Sequence, residues 1–408
     1  MSSVNIFPSV LNGRISVPPS KSAAHRAVIC SALANGKDIF SSDEFLSDDI
    51  KATISAVKSL KTYKGELMRI DCKESGSTLR FLIPIAAAQG ITAEFVGHGR
   101  LPCRPIGVYL DCLPNHGIEC KTEGGLPLKI KGQLTPGKFI LPGNVSSQFI
   151  TGLLLALPLL NGDSEIILSS PLESAAYVDM TTEIMESFGV TVQKSKNGWY
   201  INGSQKYMQT DFKVERDWSQ AAFFIAAGAL GGNVELLGLN KNSCQGDKAA
   251  EKLFRCFGAY VKWTNSVLSV SPNKLNGINI DASQIPDLVP ILAATAAFCN
   301  GRTCIFNAGR LRIKESDRLS AIAEGLNRLG GKVKETNDGL IIDGIEKLHG
   351  GKVDGYNDHR IVMALSIAAL NADGCVEITD AQSISKSYPN FFKDYNMLGG
   401  KADVVNLG

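Results

Sequence analysis

Several short segments bring cations and hydroxyls together at positions where chemistry on an anion is feasible. Pro18-Pro-Ser-Lys-Ser-Ala-Ala-His-Arg26 carries Lys21, Ser22 and Arg26. Glu74-Ser-Gly-Ser-Thr-Leu-Arg80 adds hydroxyls, an arginine and Gly76, where backbone can approach a ligand. Gly99-Arg-Leu-Pro-Cys-Arg-Pro105 sets Arg100 and Arg104 in a proline-constrained turn, and Val145-Ser-Ser-Gln148 is a further polar opening. Arg310-Leu-Arg-Ile-Lys-Glu-Ser-Asp-Arg318, Tyr356-Asn-Asp-His-Arg360 and Lys386 repeat the mixture. Each lies near a helix start, where free N–H groups and the helix dipole favour an anion. Simple N-capping accounts for one Ser, Thr or Asp per segment. It does not account for cations in a first turn, which the dipole opposes unless a negative group is close. Lys314 and Arg318, four apart, would repel on a helix by a few tenths of a kcal/mol, and Glu315 and Asp317 are candidates to lie between them. His25, among Ala and Val neighbours, reads as a structural histidine.

The elements behind these segments repeat. A polar motif opens an Ala/Leu/Ile-rich helix that stops near glycine at Gly36, Gly90, Gly162, Gly231, Gly301 and Gly374. A second, amphipathic series ends at Gly117, Gly189, Gly258, Gly330 and Gly399, spaced by about 70 residues. A glycine after a periodic helix predicts a left-handed C-terminal cap. Short β-branched runs at Glu94, Glu165, Val234, Cys304 and Val376 alternate with the helices, which predicts α/β units. Helices as apolar as Ala221 to Leu230 must be buried on nearly all sides. The expected fold is therefore two domains of three repeats each, an inside-out α/β arrangement with buried helices and outer sheets. The first domain is expected over 13–213 and the second over 1–12 plus 214–408. Two chain crossings would form a hinge, with the polar motifs facing an interdomain cleft.

Composition narrows the partners. The chain has 408 residues, 44% of them hydrophobic, and a net charge of +2, so it can bury a large core and has no global field to hold nucleic acid or an anionic membrane. No apolar run reaches the ~18 residues of a spanning helix, and the N-terminus has neither signal-peptide nor transit-peptide shape, so a cytoplasmic protein is expected. The ten cysteines are scattered and include no C-x-x-C pair. Cys112, His116 and Cys120 fall at helical spacing, but their neighbours favour a packed helix ending near Gly117 over a metal site.

Taken in order, the motifs resemble those of the 5-enolpyruvylshikimate-3-phosphate synthases. The resemblance rests on Pro-x-Ser-Lys-Ser-x-x-x-Arg at 18–26, Ser-Gly-x-Thr-x-Arg at 75–80, Arg-Pro-Ile at 104–106, Ser-Ser-Gln-Phe at 146–149, Lys-Glu-Ser-Asp-Arg at 314–318 and Asn-Asp-His-Arg at 357–360. It covers essentially the full chain and implies two domains of three βαβαββ units. It implies transfer of the enolpyruvyl group of phosphoenolpyruvate to the 5-hydroxyl of shikimate 3-phosphate, with release of phosphate, in aromatic amino-acid biosynthesis. No metal or organic cofactor is implied, and a monomer is expected. Carried over by motif, Lys21, Gly76, Arg104, Gln148, Arg318, Arg360 and Lys386 would hold phosphoenolpyruvate. Ser22, Arg26, Ser146, Ser147, Gln148, Tyr177, Asp287 and Lys314 would hold shikimate 3-phosphate. Asp287 and Glu315 are the carboxylates assigned to proton transfer, with Lys21 and Glu315 both open as donor to the methylene carbon. Glu74, Phe81 and Arg310 depart from the common pattern, so the role of Arg310 and the response to glyphosate stay open. The alternatives are a UDP-N-acetylglucosamine enolpyruvyl transferase, disfavoured because Cys103 directly precedes Arg104, and a non-catalytic anion-binding scaffold.

Overall fold

The computed structural model describes residues 2–40 and 46–406. Among the described residues, twelve α-helices alternate between two kinds. In chain order they are α1 (Lys21–Leu33), α2 (Asp48–Lys61), α3 (Gly76–Ala88), α4 (Gly107–Cys112), α5 (Ser147–Ala156) and α6 (Ala175–Ser187). They continue with α7 (Trp218–Ala229), α8 (Ala249–Phe257), α9 (Val289–Ala296), α10 (Arg318–Arg328), α11 (His359–Ala368) and α12 (Phe391–Met397). The odd-numbered helices are the apolar ones, and α7, α9 and α11 are buried along their whole length. The even-numbered helices are amphipathic, and Gly117, Gly189, Gly258, Gly330 and Gly399 after them all take positive φ, from +79° to +113°. The left-handed caps are thus real for this series. In the other series Gly36 and Gly374 are not in that region.

The sheets repeat as strictly as the helices. Five four-stranded sheets form among the described residues, each with one parallel pair followed by two antiparallel pairings. The unit β-α-β-α-β-β is complete in Met68–Gly132, where 68–71 pairs in parallel with 93–96 across α3. No helix is long and apolar enough to cross a membrane among the described residues.

The chain divides into two units, Lys21–Val214 (the continuous unit) and Met1–Ser20 with Glu215–Gly408 (the split unit). The first crossing falls at Ser20–Lys21 rather than at residue 13. The reason is non-local pairing. Strand Asn12–Ile15 adds in parallel to Asn233–Leu237, so it serves the split unit and not the helix that follows it. Strand Ser2–Phe7 inserts antiparallel between Val376–Ile378 and Lys401–Asn406. The N-terminal segment therefore supplies one strand to each of two sheets.

Candidate active site

The polar segments open the buried helices as the sequence suggested, and their caps are ordinary. Ser75, Ser146, Asp217 and Asp358 cap α3, α5, α7 and α11, each side chain accepting a backbone N–H from the first turn. The cations beside these caps belong to two clusters, one in each unit.

In the continuous unit, Lys21 begins α1 and its Nζ donates to Asp49 Oδ2 at 2.7 Å. Both side chains are mostly buried, so the pair is partly shielded from water. Arg80 is fixed by donating to the Pro105 carbonyl at 2.8 Å and to Gln148 Oε1 at 2.7 Å, while Gln148 Nε2 donates to Ser77 at 3.0 Å. The amide of Gln148 is oriented by both bonds. Gly76 completes the group: a Cβ there would lie 2.7 Å from Arg104 Nη1 and 2.9 Å from Arg80 Nη1. Two guanidiniums press against one glycine backbone at a helix N-terminus. Arg104 itself is held extended ahead of Pro105, as the following ring requires, and is 8% exposed.

The residues expected on shikimate 3-phosphate sit at neighbouring helix starts. Ser22 lies in the first turn of α1, Ser146 and Ser147 open α5, and Tyr177 lies in the first turn of α6. Arg26 is buried among them, donating to Thr181 Oγ1 at 2.7 Å, the Ser22 carbonyl at 2.6 Å, the Tyr177 carbonyl at 2.9 Å and Thr151 Oγ1 at 3.2 Å. It clamps α1, α5 and α6 together. His25 Nδ1 lies 2.7 Å from Thr53 Oγ1, and burial, then Lys21 and Arg26, hold its pKa well below the usual value. A neutral, structural histidine results.

In the split unit, Asp287 is the centre. Its carboxylate lies 3.0 Å from Arg318 Nη1, 3.4 Å from Arg360 Nη2 and 3.9 Å from Lys314 Nζ. Burial alone would raise its pKa, but Arg360, Lys314 and Arg318 outweigh burial and hold the carboxyl far below the usual range. Arg318 also donates to Glu315 at 2.7 Å and to Asp358 at 2.8 Å. Lys386 Nζ reaches the Asn357 carbonyl at 2.5 Å. Asp287 thus lies between Lys314 and Arg318, and Glu315 also pairs with Arg318. Lys314 lies in extended backbone ahead of α10, so the helical i,i+4 repulsion never arises. Asp317 caps α10 and pairs with Arg312 at 3.0 Å. Arg310 donates to the Ser283 carbonyl at 2.6 Å.

Three participants escaped the sequence reading, and a fourth, Arg80, was noted there only as the arginine of the Glu74–Arg80 segment. Asp49 and Arg80 orient Lys21 and Gln148. Asp358 is fully buried, accepting from Arg318 and from Ser316 at 2.9 Å, and its signal was only an N-cap aspartate within a noted motif. Ser219 accepts from Arg360 Nη1 at 2.6 Å and lay in a segment read as helix opening. Of the soft-ligand trio, His116 stacks on Phe139 at 3.7 Å with Nε2 3.1 Å from the Lys138 carbonyl, and Cys120 lies in strand Ile118–Lys121, so the three do not share a helix.

Residues 7–395 match the family model described as EPSP synthase (3-phosphoshikimate 1-carboxyvinyltransferase). The chain belongs to the EPSP synthase family. Curated 3-phosphoshikimate 1-carboxyvinyltransferases of Clostridium novyi and Clostridioides difficile are 46% and 44% identical to it, with all of each chain covered. The solved EPSP synthase of Acinetobacter baumannii superposes with a TM-score of 0.80 at 25% identity over the whole of both chains. An enolpyruvyl transferase of Streptomyces tendae, NikO, has a TM-score of 0.78 at 17% identity over 100% of this chain and 99% of its own, and shares the fold. The inside-out α/β architecture expected from the repeats is that of the family.

Proposed function

We propose that this member of the EPSP synthase family is a 3-phosphoshikimate 1-carboxyvinyltransferase, moving the enolpyruvyl group of phosphoenolpyruvate to the 5-hydroxyl of shikimate 3-phosphate with release of phosphate. The observation that carries the reading is the split-unit cluster, where Asp287 is kept ionised by three cations beside Glu315. A carboxylate so held is ionised near neutral pH and cannot be the acid; the three cations also make it a weak base, so it takes the 5-hydroxyl proton only as they turn to the anionic groups of the substrates. As that oxygen adds to C2 of phosphoenolpyruvate, the methylene carbon takes a proton and a tetrahedral intermediate forms. Loss of a methyl proton with departure of phosphate then restores the double bond. Glu315 and Lys21 are the two candidates to move that proton.

The ligand assignments follow the clusters. Lys21, the Gly76 backbone, Arg104 and Gln148 from the continuous unit, with Arg318, Arg360 and Lys386 from the split unit, take phosphoenolpyruvate. Ser22, Arg26, Ser146, Ser147, Gln148 and Tyr177, with Asp287 and Lys314, take shikimate 3-phosphate. Fixed guanidinium and ammonium groups supply the countercharge that a phosphate and a carboxylate need, so the reaction calls for no metal or organic cofactor. The reading is of a monomeric cytoplasmic enzyme without nucleic-acid or membrane partners. Phosphate release measured with phosphoenolpyruvate and either shikimate 3-phosphate or UDP-N-acetylglucosamine tests it. Turnover with the former alone is the expected result; turnover only with the latter, or with neither, overturns it.

A further inference from the structure

The backbone just ahead of α11 is strained. Gly355 to Asp358 is a tight turn, closed by the Asp358 N–H on the Gly355 carbonyl at 2.9 Å. Its two central residues, Tyr356 and Asn357, are both left-handed, at φ +53° and +48°. Such turns ordinarily take glycine, asparagine or aspartate, and a tyrosine there is an outlier. Two carboxylates hold the strain. Asp354 Oδ1 accepts the Tyr356 N–H at 2.7 Å, and Asp380 Oδ2 accepts the Asn357 N–H at 2.9 Å.

Asp380 also stands at the start of the 3-10 segment that carries Lys386. It precedes Ala381–Lys386 with φ +56°, itself left-handed, and its carbonyl takes the Ser383 N–H at 2.9 Å. At the far end of that segment the buried Lys386 turns back, and its Nζ donates to the Asn357 carbonyl at 2.5 Å. A closed ring results: Asp380 fixes the N–H of Asn357, and the carbonyl of the same residue is an anchor for the ammonium. The other oxygen of Asp380 accepts from Gln382 Nε2 at 3.3 Å, and Gln382 Oε1 takes both the N–H and the hydroxyl of Ser2 at 2.9 Å. Three left-handed residues with side chains thus converge on one carbonyl and one lysine. A turn needed only to lead into a helix would form with glycine and without strain.

We infer that Asp380 is a positioning residue: by accepting the Asn357 N–H it holds the left-handed backbone whose carbonyl aims the Lys386 ammonium at phosphoenolpyruvate. The inference rests on the assignment of Lys386 to that substrate made above.

The test uses the full chain, with each substrate varied in the phosphate-release assay. Asp380→Ala should lower kcat/KM for phosphoenolpyruvate about tenfold, the upper scale of one hydrogen bond, and leave the KM for shikimate 3-phosphate within about twofold. Asp380→Asn keeps an oxygen for the Asn357 N–H and should stay within about threefold of the parent. In a Lys386→Ala background, Asp380→Ala should add less than about twofold, because its effect passes through the lysine. Gln382 is exposed, so Gln382→Ala decides the matter if Asp380→Ala does not fold; it should show the same split between substrates at about threefold. Equal losses for both substrates, no rescue by Asp380→Asn, or a tenfold loss that persists without Lys386 would overturn the inference. Acylation of Lys386 in the ligand-free protein by a lysine-selective reagent, read by mass spectrometry, separates it from the functional reading. Several-fold faster labelling in Asp380→Ala or Gln382→Ala supports the link even if the parent turns over neither acceptor; an unchanged rate sinks it.

Discussion

Arg104 and Lys386 are both more than nine-tenths buried, at 8% and 7% exposure, and each is assigned to phosphoenolpyruvate. Replacing either by alanine should weaken that substrate by about 30-fold to a few thousandfold, the range for losing one partner of a buried charge contact, and should affect shikimate 3-phosphate far less. Calorimetry with each ligand reads this directly, and equal losses would remove the assignment. Glu315 lies 2.7 Å from Arg318 and is a candidate to move the methylene proton. In heavy water, Glu315→Gln should bind both substrates but incorporate little deuterium into the methylene and lose about 10²–10⁴ in turnover. Parent-like incorporation would leave Lys21. Asp287 and Asp247, the latter buried at 4% exposure on the turn Gly246–Lys248, should affect acid stability with opposite sign. Asp287 has a depressed pKa, so its stabilisation is present above the ordinary carboxylate range and is lost as pH falls below it. Asp247 is raised from 3.8 to about 6, so its contribution weakens the fold as pH rises through that interval. Asp247→Asn should therefore be more stable than the parent by up to about 3 kcal/mol at pH 8 and gain little at pH 4, by denaturant titration at both values. None of this was legible in the sequence for Asp247. An aspartate after glycine reads as a turn residue, and nothing local marks its burial, which comes from packing across elements.

At the scale of the element, helix ends were the readable part. The glycines near 70-residue spacing close amphipathic helices because a left-handed cap is a local demand, met by the one residue without a Cβ. Gly258 shows what that demand is worth: φ is +113°, and an added Cβ would sit 2.4 Å from the Lys274 carbonyl oxygen. Gly258→Ala should lower stability by at least about 1–2 kcal/mol from backbone conformation alone, seen as a reduced melting temperature with unchanged substrate KM in the surviving folded protein. Gly76 is different in kind. Its φ is not in the left-handed region, and a Cβ there would meet the two guanidiniums instead. The polar openings were legible as caps and as anion sites because both readings rest on the same free N–H groups. What the sequence could not yield was the partner of each cation, since Lys21 with Asp49 and Lys314 with Asp287 are pairings across elements, set by how helices pack.

For the molecule as a whole, the proposed assignment has each substrate held by residues of both clusters. Saturating shikimate 3-phosphate should accordingly lower the radius of gyration in solution scattering, and an unchanged value would mean that binding leaves the disposition of the units as it was. The division into two units was legible from the repeat count. Its first boundary was not, because Asn12–Ile15 pairs with a strand more than two hundred residues away and nothing local marks that choice.

Strand Ser2–Phe7 pairs along its full length with Lys401–Asn406, a partner made long after it. During translation the apolar Val4 and Ile6, fully buried at the end, must wait for roughly 20–80 s at ordinary elongation rates with no edge to join. The segment Lys21–Val214 emerges as one continuous stretch well before that, so it should fold while Ser2–Phe7 still waits for Lys401–Asn406. Nascent chains stalled near residue 370 should show a protease-resistant core spanning 21–214 and a sensitive remainder, and resistance of the remainder at that length would contradict this order. A chaperone that holds exposed strands would have a long opportunity at Ser2–Phe7.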